Sequence, residues 1–292
     1  MIHSIHALLE FRHAQRADTS GRKGGMTSFG RIAQFSLVMF GCSAQIGCGK
    51  VPESGINPSV TLSTASVIEE RPSISGRVSL IGGRPASAGK TIDVGANAYC
   101  SSHGQIADPT WQVADNGALG GVVISVRDSG RASNIEAAPV LIDQLSCLYQ
   151  PNITVLQPGQ TALIRNSDET FHNVRIIRHD ASLKTPGTNL SNLGQPTKGS
   201  SDLQTFNEPG IYRLECDVHR WMKSWVYVHT GIHVATSRSD GSFALNRALL
   251  DGTYVVEAWH PCFVKPLTNT VRVVGGVATT DFQFNLADAA QH

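Results

Sequence analysis

The sequence predicts an all-β protein of more than one domain, preceded by a segment with little to pack. Short runs rich in Val, Ile, Thr and Tyr recur between Gly, Pro, Asn and Asp turns, the pattern of a β-sandwich or barrel. The chain has 292 residues, room for two modest domains, and 28 Gly and 13 Pro to turn its strands. Only 16% of residues are charged and the net charge is +1, so there is no global attraction to nucleic acid or to an acidic membrane face. No apolar run is long enough to span a bilayer.

Residues 1–71 read differently from the rest. Residues 1–25 are rich in His, Arg, Gly and Ser. Met26-Thr27-Ser28-Phe29-Gly30-Arg31 then precedes the apolar stretch 32–40 and Gly41-Cys42. A basic start, a short apolar core and a small residue at its end form a signal-peptide pattern. On this reading Met26 is the start of an exported protein and residues 1–25 are an upstream extension. Residues 49–70, with Pro, Ser, Thr and Gly, read as a flexible, disordered tether.

Strand signals begin at Ile74-Ser75-Gly76-Arg77-Val78-Ser79-Leu80 and return at Val122-Val123-Ile124-Ser125-Val126. Thr161-Ala162-Leu163-Ile164-Arg165 and Gly210-Ile211-Tyr212-Arg213-Leu214-Glu215 follow. Beyond them lie Asp240-Gly241-Ser242-Phe243-Ala244-Leu245 and Gly252-Thr253-Tyr254-Val255-Val256.

Directly after the 210–215 run stands Cys216-Asp217-Val218-His219-Arg220-Trp221-Met222. A thiolate, an imidazole and a thioether at three-residue steps, joined by one upstream histidine, supply a trigonal two-His, one-Cys copper site with a weak axial Met. With 6 Cys, 11 His and 4 Met in the chain, chance places Cys-x-x-His-x-x-Met roughly 0.003 times. The upstream ligand is expected at a strand end, and Phe171-His172-Asn173-Val174 supplies it. The competing reading is a buried structural Cys beside two surface His and a core Met. His229, His233 and His260 read as solvated or hydrogen-bonded histidines, with a second metal site as the alternative. Nucleophile-elbow, phosphate-loop and zinc-protease motifs are missing. So are the His-x-His pairs that multicopper oxidases use, which argues against that class.

Residues from about Val140 to Val228 resemble a cupredoxin of the plastocyanin and amicyanin kind. The resemblance rests on Tyr149-Gln150-Pro151-Asn152-Ile153-Thr154-Val155, on His172-Asn173-Val174, and on Pro209-Gly210-Ile211-Tyr212 running into Cys216. It implies a Greek-key barrel with one type 1 copper held by His172, Cys216, His219 and Met222. It also implies that Asn173 ties the two ligand loops together; a plain turn residue is the alternative. Arg220-Trp221 depart from the family pattern. Gly41-Cys42 resembles a bacterial lipobox, which makes Cys42 a lipidation candidate, with Gly47-Cys48 as a second. Cysteines placed like Cys100 and Cys147 occur in longer cupredoxin-containing proteins, so this pair is the preferred disulfide and Cys262 the free thiol. Cys100–Cys262 stays open, because pairing does not follow from sequence.

The opening strand at 74–80 and the 240–245 and 252–256 elements resemble a carboxypeptidase regulatory-like, transthyretin-like β-sandwich. The sandwich motifs stand on both sides of the cupredoxin stretch. The expected organisation is therefore 72–138 as the first part of a sandwich, 139–230 as an inserted copper domain, and 231–292 as its second part. The expected function is single-electron transfer by an exported, periplasmic copper protein, without enzymatic activity of its own. Copper delivery or storage, and a metal-free structural role in the envelope, are the alternatives. The expected partner is a redox protein docking at a near-surface edge beside His219, made basic by Arg220 and Lys223. Membrane association is expected only through a lipid anchor.

Overall fold

In the computed structural model, residues 72–130, 138–180, 183 and 186–290 are described. The signal pattern, the tether and the lipidation candidate Cys42 lie outside them. Nearly every element is a strand; the one α-helix among the described residues is α1, Ala98–Ser102. No helix of the described residues is long and apolar enough to cross a membrane.

The strands build two sandwiches. One is contiguous in sequence. Its five-stranded sheet runs Thr188–Gln195, His172–His179, Gly210–Glu215, Lys223–Val228, Ile153–Leu156. Its four-stranded sheet runs Ser201–Phe206, Gln160–Asn166, Val140–Leu145, Leu148–Gln150. The two sheets face each other over a core that includes Ile142, Ile164, Val174, Ile176, Leu214 and Val226. Hydrogen bonding does not join the two sheets edge to edge, so the expected closed barrel is an open two-sheet sandwich.

The other sandwich is assembled from both sides of this one. Ile74–Ile81 pairs antiparallel with Ser242–Leu245 and parallel with Ala278–Thr279 and Phe282–Asn285. Val123–Val126 lies between Val234–Thr236 and Gly252–Trp259, and Leu267–Val273 follows at the edge. Val78, Ile124, Phe243, Val256, Phe282 and Phe284 form the core between the sheets. Two glycines make the close contacts possible. A Cβ on Gly76 would meet the Thr280 carbonyl oxygen at 1.7 Å. Gly241 turns with φ +77°, and its Cβ would meet the Val78 carbonyl oxygen at 2.4 Å.

Side-chain alternation explains how the sandwiches meet. Successive strand residues point to opposite faces. Ile153, Ile211, Trp225 and Tyr227 therefore leave the core of the contiguous sandwich and join Val123 and Trp259 in a separate apolar layer. Trp225 and Trp259 make an edge-to-face contact at 6.1 Å between ring centroids. The strands Ile153–Leu156, Gly210–Glu215 and Lys223–Val228 thus carry apolar residues on both faces, whereas the edge strand Thr188–Gln195 is polar and mostly exposed.

One stretch expected in the flanking sandwich packs elsewhere. Cys100 and Ile106, with the half-buried Ile92, Val94 and Tyr99, belong to the core of the contiguous sandwich. Residues 92–106 lie across the end of that sandwich where the ligand loops are.

Candidate metal centre

The alternation that sorts the apolar residues also sorts the ligands. In the 210–215 strand Tyr212 and Leu214 face the inner core. Cys216 continues that parity and is buried at 1% exposure. In the His172–His179 strand Val174 and Ile176 face the same core, and His172 shares their parity and is fully buried. The loop after Cys216 closes tightly. Met222 N donates to His219 O at 2.7 Å, and Cys216 N donates to Met222 O at 3.2 Å. This fold-back sets His219 beside Cys216 and buries Met222 completely.

His172, Cys216 and His219 converge. His172 Nδ1 and His219 Nδ1 are 2.9 Å apart. Cys216 Sγ is 3.9 Å from His172 Nδ1 and 3.7 Å from His219 Nδ1. Donors bonded to one metal at about 2.0–2.3 Å stand about 3–4 Å from each other at angles of about 90–130°, so these separations are compatible with a single ion. Met222 packs in the same core. The donor set of two imidazoles, a thiolate and a nearby thioether is the one that suits copper.

Electrostatics prepare the sulfur. Burial opposes ionisation of Cys216, but the neighbouring imidazoles of His172 and His219 and the backbone of Asn173 outweigh it and bring the thiol down to about 6. Asn173 spans the two ligand loops. Its Oδ1 accepts from Asp217 N at 2.7 Å, and its Nδ2 donates to Asp217 Oδ2 at 3.0 Å and to Asn192 Oδ1 at 2.7 Å.

Both histidines are held from outside. Asp168 is fully buried, and its Oδ2 lies 2.9 Å from His172 Nε2. The imidazole donates there from Nε2, which leaves the Nδ1 lone pair facing the cluster. Asp168 also accepts from Ser146 N at 2.7 Å, Cys147 N at 2.8 Å and Tyr99 Oη at 3.2 Å. Burial pushes its carboxyl up, but the bonds from His172, Cys147 and Ser146 prevail and hold it below the usual carboxylate range. Ser146 and Cys147 both have positive φ, 55° and 56°, in a two-residue hairpin turn that normally selects Asn-Gly. The Asp168 carboxylate anchors both of their N–H groups. Cys147 is bonded to Cys100 in a disulfide.

His219 is only 2% exposed. The edge expected near the surface is covered: Asn97 Nδ2 lies 2.7 Å from His219 Nε2, and Trp221 stacks obliquely against the ring at 5.1 Å. Trp221 Nε1 donates to Cys147 O at 3.0 Å. Residues 92–106, expected in the flanking sandwich, supply Asn97 to this cover, while Val218 on the same loop as His219 is exposed. Arg220 and Lys223 are exposed beyond this cover.

Of the other histidines expected to be solvated or hydrogen-bonded, His229 has a buried Nε2 with no hydrogen-bond partner, and two are bonded. His233 bonds the carbonyls of Ser129 and Ala248, and His260 Nδ1 accepts from Cys262 N. Among the described residues the other cluster with metal-ligand spacing is Cys147, Asp168 and His172. Its sulfur is committed to the disulfide, so it is the support of His172 rather than a second centre. Asp168, Asn97 and Tyr99 were missed by sequence reasoning. Asp168 carries a local signal, an acid four residues before His172; Asn97 and Tyr99 carry none.

No protein-family model matches the chain, and no curated protein matches it. Solved structures similar to part of it include amicyanin from Paracoccus versutus, at 23% identity, covering 36% of this chain and 97% of that one, with a TM-score of 0.27. A Cu-containing nitrite reductase from Thermus scotoductus SA-01 is similar at 22% identity, covering 34% of this chain and 24% of that one, with a TM-score of 0.26. Each likeness spans about a third of this chain.

Proposed function

We propose that the chain is an exported type 1 copper protein that passes single electrons between redox protein partners and is not itself an enzyme. The observation that carries this reading is the convergence of His172 Nδ1, His219 Nδ1 and Cys216 Sγ, within 2.9–3.9 Å, in a buried pocket. His172, His219 and Cys216, with Met222 packed in the same core, would hold the copper. Bound copper supplies a one-electron couple whose potential the thiolate and thioether tune.

The chain's own residues do the rest. Asp168 fixes the tautomer of His172. Asn173 joins the two ligand loops so that they move as one body. The strand frame and the 216–222 fold-back resist change of geometry, which keeps reorganisation small when charge changes. The flanking sandwich is a structural platform of the carboxypeptidase regulatory-like kind. An envelope location through the signal pattern, with a lipid on Cys42, belongs to the same reading.

A second reading, copper storage or delivery, is favoured by the cover over His219, which lengthens the path to a partner at that edge. Metal analysis, a visible spectrum and protein-film voltammetry of the purified mature protein decide between them. Stoichiometric copper, an intense thiolate-to-copper band and fast reversible electron exchange support electron transfer. Copper without that band, or with sluggish exchange, supports storage. A protein that takes up no copper contradicts both.

A further inference from the structure

The segment 92–106 touches the outer nitrogen of His219 and the carboxylate that holds the outer nitrogen of His172. Asn97 meets His219 directly, 2.7 Å from Nε2. Tyr99 Oη donates to Asp168, whose other oxygen holds His172. Two residues of one turn thus reach both imidazoles, one directly and one through a carboxylate. The Cys100–Cys147 disulfide joins this turn to the hairpin whose N–H groups orient Asp168. Both supports of the histidines are therefore tied to one covalent link. Apolar packing of Ile92, Val94, Tyr99 and Ile106 on the core seats the segment.

We propose that Asn97 is a positioning residue for His219, and that the disulfide-tied turn it sits on is the cap that closes the metal centre. Asn97 has two duties. Its Oδ1 accepts from Cys100 N at 2.8 Å, capping α1. Its Nδ2 donates to His219 Nε2, which places the ring proton of the metal-free imidazole on Nδ1, 2.9 Å from His172 Nδ1. A chain of hydrogen bonds then runs from Asn97 through His219 and His172 to Asp168. The inference rests on the copper reading only in taking His219 for a ligand.

The two duties can be separated by substitution. Serine caps a helix as well as asparagine does but is too short to reach His219. Aspartate keeps both the cap and the reach, and presents an acceptor where the amide presents a donor. Metal-free full-length protein is labelled with iodoacetamide, Cys216 is located by mass spectrometry, and the His219 tautomer is read by long-range ¹H–¹⁵N NMR. Asn97→Ser is expected to keep the disulfide and a cooperative melt while Cys216 labels about tenfold faster, the change that loss of one closing hydrogen bond allows. Asn97→Asp is expected to restore slow labelling and to move the His219 proton from Nδ1 to Nε2. Equal labelling in wild type and Asn97→Ser, or one tautomer shared by wild type and Asn97→Asp, overturns the proposal. If a variant does not melt cooperatively, the other decides. A protein that takes up no copper but shows the expected labelling would sink the copper reading and leave this inference standing.

Discussion

Each sandwich buries one free cysteine with a histidine close by in sequence, and the two pairs behave as opposites. Cys262 lies two residues after His260, in a core with Trp111 and Phe263. Burial, and to a smaller extent Asp108, pushes its thiol up to about 12. Burial pushes His260 down to about 3. Cys216 is buried as deeply, yet its thiol falls to about 6 because two imidazoles and two backbone groups beside it favour the thiolate. Burial alone thus keeps a thiol protonated and inert; burial among convergent polar groups favours the thiolate, the form a metal binds. The sandwiches also differ in how they are encoded. The sheets around Cys216 are contiguous in sequence, whereas the flanking sandwich needs Ile74–Ile81 and Val123–Val126 from before them.

The largest effect tests that encoding. The fragment 231–292 lacks the strand that pairs with three others and the strand between two more, so it should be unfolded or aggregate through unpaired edges. A dispersed NMR spectrum with cooperative melting from that fragment would replace the split sandwich with serial modules. Next, Cys216→Ser should abolish the intense visible band of the copper-loaded protein, while Cys262→Ser should leave it intact and cost only packing. Survival of the band in Cys216→Ser would remove the thiolate from the site.

pH sharpens the contrast between the thiols. Cys216 has a lowered value, so its stabilising contribution is complete above the unfolded thiol's value of about 8.5 and is lost as pH falls through about 6. Ultraviolet thiolate absorbance of the metal-free fold should show one thiolate titrating near 6. Copper affinity should weaken below that pH, because protons compete for the ligand. Titration of both thiols together would erase the distinction. Asp168→Asn should lower copper affinity by about 10–100-fold, the usual cost of losing a support behind a ligand histidine. An unchanged affinity by competition titration would mean that Asp168 does not orient His172. The smallest effect is at Met222→Gln, which should retain copper and lower the potential in voltammetry, since a harder axial oxygen favours copper(II).

How legible the molecule was depends on the range of the interaction. Cys216, His219 and Met222 lie on one loop, and strand parity puts His172 on the same face, so the cluster could be read from local spacing. The strands at 74–81, 210–215 and 252–259 were visible because alternation and turn glycines mark them. Residues 92–106 were misplaced because their core contacts are long-range and their apolar residues too sparse to show a period. Asn97 reaches a histidine 122 positions away, and nothing in its neighbourhood announces that. The open sandwich in place of a closed barrel likewise depends on edge pairing, which alternation does not encode.

The central claim is that one copper sits between His172, Cys216 and His219. Anomalous scattering at the copper edge, from crystals of the copper-loaded mature protein, tests it most directly. The account predicts a single strong peak within bonding distance of His172 Nδ1, His219 Nδ1 and Cys216 Sγ, with Met222 on its axial side. No peak at these atoms, or copper bound only at another histidine, would contradict it.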